Sequence, residues 1–212
     1  MDIREAIRNY ASQPITHQML LSILKGYKRP NDKINMLVEK GFLTPVKKGL
    51  YITGPALNAG KPASFLIANH ICGPSYVSID SALSFYGLIP ERVYETSSVT
   101  TKTSREFTTS IGVFSYTHLP SPYYSLGIRH LSLSDGQHIL LATPEKALFD
   151  KIVTTKSVIL RSKIGVLNYL VEDLRIDEDS LKEMNTNIMQ EWLPYSPKEE
   201  SLSQVIKTIN TL

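Results

Sequence analysis

The hydrophobic pattern changes from a helical to a strand-like period at Gly41, and this change constrains the fold of the N-terminal part most strongly. Before it, apolar residues recur at helical spacing in three segments: residues 2–11, 16–26 and 30–40. After it, residues 42–46 and 50–52 are short runs of strand-forming residues, separated by Lys47, Lys48 and Gly49. The sequence therefore predicts three helices followed by a β-hairpin.

Local signals agree with these boundaries. Thr16 is a suitable N-cap, Pro30 fits the first turn of a helix, and Gly41 fits a helix C-terminus. The predicted buried stripe of the second helix is Leu20, Leu24 and Tyr27. The order of elements over residues 1–54 is that of a winged helix-turn-helix, and the alternative is a three-helix cap on a larger domain.

The net charge of +3 conceals a polarised chain. Residues 25–48 hold seven Lys or Arg against two Asp or Glu, a net charge of +5, whereas residues 172–200 hold three against nine, a net charge of −6. A small basic unit beside a neutral-to-acidic body is typical of a DNA-binding module on a regulatory domain. The alternative is a solvated, lysine-rich surface.

If the third helix enters the major groove, its exposed face contacts the bases. Arg29 and Lys33 would then contact guanine, and Asp32 would accept from cytosine, unless Asp32 only complements the helix dipole. Met36 would contact a thymine methyl group, unless it is simply an exposed methionine. The remaining predicted contacts are with the DNA backbone or minor groove: Lys25, Lys28, Lys47 and Lys48.

The rest of the chain predicts an α+β body. Residues 55–62 are rich in Gly, Pro and Ala and predict a linker, so the C-terminal domain would span residues 63–212. Helices are predicted over 63–71 and 75–87, about five strands of an antiparallel sheet over 93–142, and a helix from Thr143 to about Thr154. An Asp135-Gly136 turn would join the last two strands. Three further helices are predicted near residues 163–173, 178–191 and 198–210.

The sequence favours a protein that is not an enzyme. It has no phosphate-binding glycine motif, no GxSxG and no HExxH. The nearest candidates for a metal-dependent nuclease are Asp135, Glu145 and Lys146, which have no suitably spaced second acid. His130 and His138 would face each other across the hairpin, but two histidines without a third ligand are a weak metal signal. We therefore expect no catalytic residue, metal or cofactor.

A second group of cations lies after residue 150: Lys151, Lys156, Arg161 and Lys163. It would be either a second surface for a polyanion or partner, or a solvated face that balances the acidic segment. The N-terminus lacks the features of a secretory signal, no apolar run is long enough to span a membrane, and the single Cys72 has no disulfide partner. These features predict a cytoplasmic protein.

Five segments resemble the AbiEi-type antitoxins of AbiE abortive-infection toxin–antitoxin systems, which are also transcriptional regulators. The segments cover about residues 15–155: LVEKGFLTPVKKGLYI (37–52), PSYVSIDSALSFYGLIPE (74–91), TTKTSREF (100–107), GVFSYTHLP (112–120) and LLATPEKALFDKI (140–152). The GLIPE and ATPEKALFD pieces are the more specific ones. The chain after about residue 155 carries no part of the resemblance.

The resemblance implies a winged helix-turn-helix that represses its own operon at inverted repeats, with two copies on the operator. It also implies a C-terminal domain that counters a nucleotidyltransferase-like toxin during phage defence, without a stable complex. The family's DNA contacts would fall on Lys28, Arg29, Lys33, Lys47 and Lys48. The alternative is a stand-alone winged-helix transcription factor whose C-terminal domain senses a ligand or partner.

Overall fold

The computed structural model describes residues 2–91, 93–133 and 136–212. The N-terminal part has helices and strands in this order: α1 (Ile3–Arg8), β1 (Ile15–Thr16), α2 (His17–Ile23), α3 (Pro30–Glu39), β2 (Leu43–Lys47) and β3 (Leu50–Thr53). The strands form an antiparallel sheet of order β1-β3-β2. The predicted helix starts at Thr16 and Pro30 are confirmed, because the Thr16 hydroxyl accepts from the Met19 amide and Pro30 is the first residue of α3.

Two N-terminal details differ from the sequence predictions. Helix α1 ends at Arg8, before the predicted end at Ala11. Tyr27 is 45% exposed and lies outside the buried stripe, because α2 ends at Ile23 and the helical period does not extend to Tyr27. Leu20 and Leu24, in contrast, are fully buried as predicted.

The larger part of the chain is a mixed sheet with helices, so the α+β class is confirmed. Its first elements are α4 (Ser64–Ile71), β4 (Ser75–Val77), α5 (Ile79–Phe85), β5 (Glu95–Thr100), β6 (Arg105–Thr109) and β7 (Gly112–His118). The later elements are β8 (Ile128–Ser132), β9 (His138–Ala142), α6 (Pro144–Thr154), α7 (Lys163–Leu167), α8 (Glu178–Lys182), α9 (Thr186–Trp192) and α10 (Glu199–Ile209). A wider π turn, Asn168–Asp173, continues α7. None of the described helices has both the length and the apolarity to cross a bilayer.

The prediction of an antiparallel sheet is only partly correct, because the sheet is mixed: the β4–β5, β6–β7 and β8–β9 pairs are antiparallel. The strand order is β6-β7-β5-β4-β9-β8, and the β5–β7 and β4–β9 pairs are parallel. Strand β6 pairs antiparallel with β7 at the edge of the sheet. Strand β7 therefore lies between β6 and β5, and it runs parallel to β5. Strand composition does not encode this order.

Two helix predictions are also wrong. Residues 75–77 form β4 rather than the start of a helix, because Tyr76 pairs with Val99 of β5, and α5 begins only at Ile79. The single helix predicted over 178–191 is two helices, α8 and α9, which are separated by the buried Met184 and by Asn185, the N-cap of α9. The helix predicted over 198–210 is confirmed as α10.

The described residues form two hydrophobic clusters, and the β2–β3 hairpin contributes to both. Leu43 packs in the N-terminal cluster with residues of α1, α2 and α3. Val46, Leu50 and Ile52 pack instead in the larger cluster. The segment predicted as a linker is also packed, because Leu57 is 2% exposed within the N-terminal cluster. The hairpin therefore joins the basic N-terminal part to the body.

Candidate nucleic-acid interface

Helix α3 presents one exposed polar face. Arg29, Asp32, Lys33 and Met36 recur along it at helical spacing. The side chains of Arg29 and Asp32 are 82% and 56% exposed, whereas Lys33 is half-buried and Met36 is half-buried against the N-terminal cluster. The Arg29 Nε lies 2.6 Å from the Asp32 carboxylate. An exposed ion pair contributes at most about 1 kcal/mol, so a stronger anionic partner can displace Asp32 from Arg29.

A cleft of about 290 Å³ lies beside this face, and it contains two cations that the predicted contact set omits. Arg4 of α1 and Lys40 at the end of α3 line it together with Lys33. The Arg4 guanidinium lies 4.8 Å from the centre of the Phe42 ring, and the Lys33 ammonium lies 5.0 Å from that of Tyr27. Cations stacked on aromatic rings have restricted positions while their charge remains open to a ligand.

The sequence signals that could have identified Arg4 and Lys40 differ. Lys40 belongs to the charge excess of residues 25–48 and could have been included. Arg4 lies outside that segment, and only the packing of α1 beside α3 brings it to the cleft. We call the set Arg4, Lys28, Arg29, Lys33 and Lys40 the basic α3 surface.

The two lysines of the hairpin, Lys47 and Lys48, lie in different environments. Lys48 lies in the turn and is exposed, as expected for a residue that contacts DNA. Lys47 is half-buried, and its ammonium donates to the carbonyl of Ile71 at the end of α4 and lies 5.9 Å from the centre of the Phe107 ring. The charge of Lys47 therefore points to the body, because the hairpin packs against the body, and we expect Lys47 to contribute less to DNA binding than Lys48.

Lys25 and Lys28, the other two predicted phosphate contacts, lie between α2 and α3 and are both exposed. Neither is in an ion pair with any residue that the structure describes. The charge of Lys28 within the basic α3 surface and that of the nearby Lys25 are therefore open to solvent.

The second predicted cation group does not form one surface of free charges. Lys151 is in α6, where its ammonium lies 2.7 Å from the Asp80 carboxylate. Lys156, Arg161 and Lys163 are exposed and lie between α6 and the start of α7. The contact with Asp80 therefore removes Lys151 from this group.

The nuclease candidates do not form a catalytic group in the described structure. The Glu145 carboxylate accepts from the Asn185 amide at 3.1 Å, while Lys146 is fully buried. Asp135 lies outside the described residues. The sequence pattern placed Lys146 at a helix start, and the structure shows that α6 directs its side chain into the core.

Lys146 instead forms a buried ion pair that the sequence did not reveal. Its ammonium lies 2.7 Å from the Asp150 carboxylate, and both side chains are fully buried. Asp150 also accepts hydrogen bonds from Tyr76 at 2.9 Å and Ser78 at 2.7 Å. The Lys146 ammonium lies 3.3 Å from the centre of the Tyr123 ring.

Burial lowers the pKa of Lys146, while the Asp150 charge opposes this shift. Burial also raises the pKa of Tyr123 well above its usual value, and the Asp150 charge adds to the increase. Because neither member of the ion pair reaches solvent, we interpret the cluster as a stabilising element of the core.

The predicted approach of His130 and His138 is confirmed. Their rings stack with centres 4.9 Å apart and planes 19° apart, and His138 also contacts the Ser132 hydroxyl at 3.0 Å. Over the described parts of the chain, no three His, Cys, Asp or Glu side chains are grouped to hold a metal ion. The pair is therefore an exposed cross-strand contact in the described structure.

Comparison with protein-family models gives no matching family, and comparison with curated proteins gives no significant match. The functional assignment therefore depends on the residues and their geometry. The basic α3 surface and the exposed Lys48 are the arrangement that most resembles a ligand-binding surface.

Proposed function

We propose that this protein is a DNA-binding transcriptional repressor and that residues 1–54 act as a winged helix-turn-helix. The observation that carries this proposal is the basic α3 surface, where cations from two helices lie on and beside one exposed helix face. Such a face fits the major groove, where arginine and lysine contact guanine and phosphate. The order of the three helices and the hairpin supports the same assignment.

The expected contacts divide into two groups. Arg29, Asp32 and Lys33 face the bases, because they lie at the outer side of the start of α3, and the half-buried Met36 lies one turn further along the same side. The cations around that side bind phosphates and position the helix: Arg4, Lys25, Lys28, Lys40 and Lys48. In the complex, Arg29 exchanges its weak pairing with Asp32 for a base or phosphate.

The hairpin offers a matched test of this proposal. Lys48→Ala removes an exposed charge, so we expect weaker binding to a duplex from the region upstream of the gene, and a salt dependence whose slope is smaller by about one unit. Lys47→Ala removes a charge directed at Ile71, so the slope should stay as in the wild type. Fluorescence anisotropy over a salt series measures both slopes. Equal effects of the two substitutions would contradict the assigned surface.

We further propose, from the resemblance to AbiEi-type antitoxins, that the protein autoregulates a toxin–antitoxin operon in the cytoplasm. Its body would counter a nucleotidyltransferase-like toxin without forming a stable complex. The complete chain should therefore restore growth to cells that express the toxin encoded by the adjacent gene. Because Val46, Leu50 and Ile52 pack with the body, the test should use the complete chain rather than a truncation. A chain with Arg29→Ala and Lys33→Ala should still rescue growth while losing repression. Failure of the wild type to rescue would exclude the antitoxin role.

One observation favours the alternative of a ligand-sensing transcription factor. A cleft of about 250 Å³ lies between the N-terminal part and the body, and its lining includes Met19 from α2 and His70 and His138 from the body. A small molecule bound there would contact both parts and could alter operator binding. The gene neighbourhood and the rescue assay distinguish the two roles, because a stand-alone regulator has no adjacent toxin to counter.

A further inference from the structure

The segment before and into α7 exposes isoleucine side chains among cations. Ile159 is 63% exposed and Ile164 is 72% exposed, although both are strongly apolar. Lys156, Arg161 and Lys163 are exposed in the same segment and are in no ion pair within the described structure. We call these five residues the basic surface. An exposed apolar patch rimmed by charged residues is typical of a protein contact.

Helices α8 and α9 carry a surface of the opposite charge. Glu178, Glu183 and Glu191 are exposed, and none of them is in an ion pair with a residue that the structure describes. Ile188 lies one helical turn before Glu191 on α9 and is 39% exposed. We call these four residues the acidic surface. It combines apolar and charged groups in the same way as the basic surface.

Part of each surface lies on a helix that packs against α10. Helix α7 carries Lys163 and Ile164 and contacts α10, and so does α9, which carries Ile188 and Glu191. These parts of the two surfaces therefore lie on helices around a common helix. In a two-fold dimer, the basic surface of the first copy contacts the acidic surface of the second, and the symmetry repeats this contact with the copies exchanged. One complementary pair of surfaces on the chain therefore gives two equivalent contacts.

We propose that a second copy of this chain docks here, with the basic surface of each copy against the acidic surface of the other. Duplex DNA or an anionic membrane would engage the cations alone and would leave the acidic surface unexplained. A second copy accounts for both surfaces by charge complementarity and covers their exposed isoleucines. The proposal is independent of DNA binding, although it would supply the two copies that inverted repeats require.

Charge reversal tests the proposal on the complete chain by sedimentation velocity over a concentration series at low salt. The wild type should dimerise, and Arg161→Glu with Lys163→Glu should weaken the dimer at least about tenfold, because like charges would then face each other. Glu183→Lys with Glu191→Lys should weaken it equally for the same reason. A one-to-one mixture of the two variants should restore the dimer, because each reversed surface meets its opposite.

The control is Lys102→Glu with Arg105→Glu, which reverses two exposed cations near and on β6, a strand that carries no residue of either surface, and should leave the dimer unchanged. Circular dichroism shows whether each variant is folded. Ile164→Asp should also weaken the dimer, because it places a charge in the proposed interface. A monomeric wild type at every concentration, or a mixture that stays monomeric, would overturn the proposal. Binding of the wild type to anionic vesicles through Arg161 and Lys163 without self-association would overturn it as well.

Discussion

The buried pair of Lys146 and Asp150 allows a stability prediction whose size follows from the contacts. Lys146→Met keeps most of the side-chain volume but leaves the Asp150 carboxylate buried without a cation. Removing one member of a buried ion pair costs about 3–5 kcal/mol. The hydroxyls of Tyr76 and Ser78 still donate to Asp150, so we expect a loss near the lower limit, about 3 kcal/mol. For a chain of this length, the melting temperature should fall by about 6–12 °C.

The double variant distinguishes loss of charge balance from loss of packing. Lys146→Met with Asp150→Asn removes both charges and keeps an oxygen that accepts from Tyr76 and Ser78. We therefore expect the double variant to be less destabilised than either single variant, with a free energy of unfolding about 1–2 kcal/mol below that of the wild type. Lys151→Met is the matched control in the same helix, because its pair with Asp80 is partly exposed and should contribute at most about 1 kcal/mol.

Urea unfolding followed by the fluorescence of Trp192 measures these differences. Trp192 is the only tryptophan of the chain and packs against Phe149, with ring centres 6.2 Å apart. Its emission therefore reports on the core that holds the ion pair. A loss below about 1 kcal/mol for Lys146→Met, or a double variant as unstable as the sum of the single variants, would refute the ion-pair interpretation.

Two further predictions follow from the core. Gly54→Ala should destabilise the protein by at least about 2 kcal/mol in urea unfolding, because a Cβ there would lie 2.2 Å from the Gly41 carbonyl oxygen. The control is Gly60→Ala, which should be neutral or slightly stabilising because a Cβ there would have no atom within 4 Å. Burial and the Asp150 charge raise the pKa of Tyr76, so the native state retains a proton that the unfolded state loses above about pH 10. Stability should therefore fall as the pH rises above about 10, and Tyr76→Phe should reduce the number of protons released on alkaline unfolding, measured by tyrosinate absorbance.

Much of the N-terminal part could be predicted because its signals are local. The Thr16 cap, the proline at the start of α3 and the positive φ of +68° at Gly41 each depend on backbone contacts within a few residues. The exposed face of α3 follows from the same short-range period. These features place the exposed Arg29 and the half-buried Lys33 on the outer side of α3 without reference to the rest of the chain.

The composition of β5 to β9 likewise identified five strands, because their residue types favour extended backbone. It could not identify their neighbours, since parallel and antiparallel pairs use the same residue types. Strand β4, which has only three residues, was too short to show a period, and its pairing with β5 and β9 decides its conformation. Sheet order is therefore a long-range property of this fold.

The sequence by itself determined that cations concentrate in residues 25–48, whereas the tertiary structure decided which of them a ligand can reach. Lys47 and Lys48 are adjacent, yet the packing of the hairpin against the body directs Lys47 to the Ile71 carbonyl and leaves Lys48 exposed. The same kind of contact brings Arg4 beside α3 and buries Lys146 with Asp150. The physical reason is that a charge is fixed by its residue type, but its accessibility depends on the distant surfaces that pack around it.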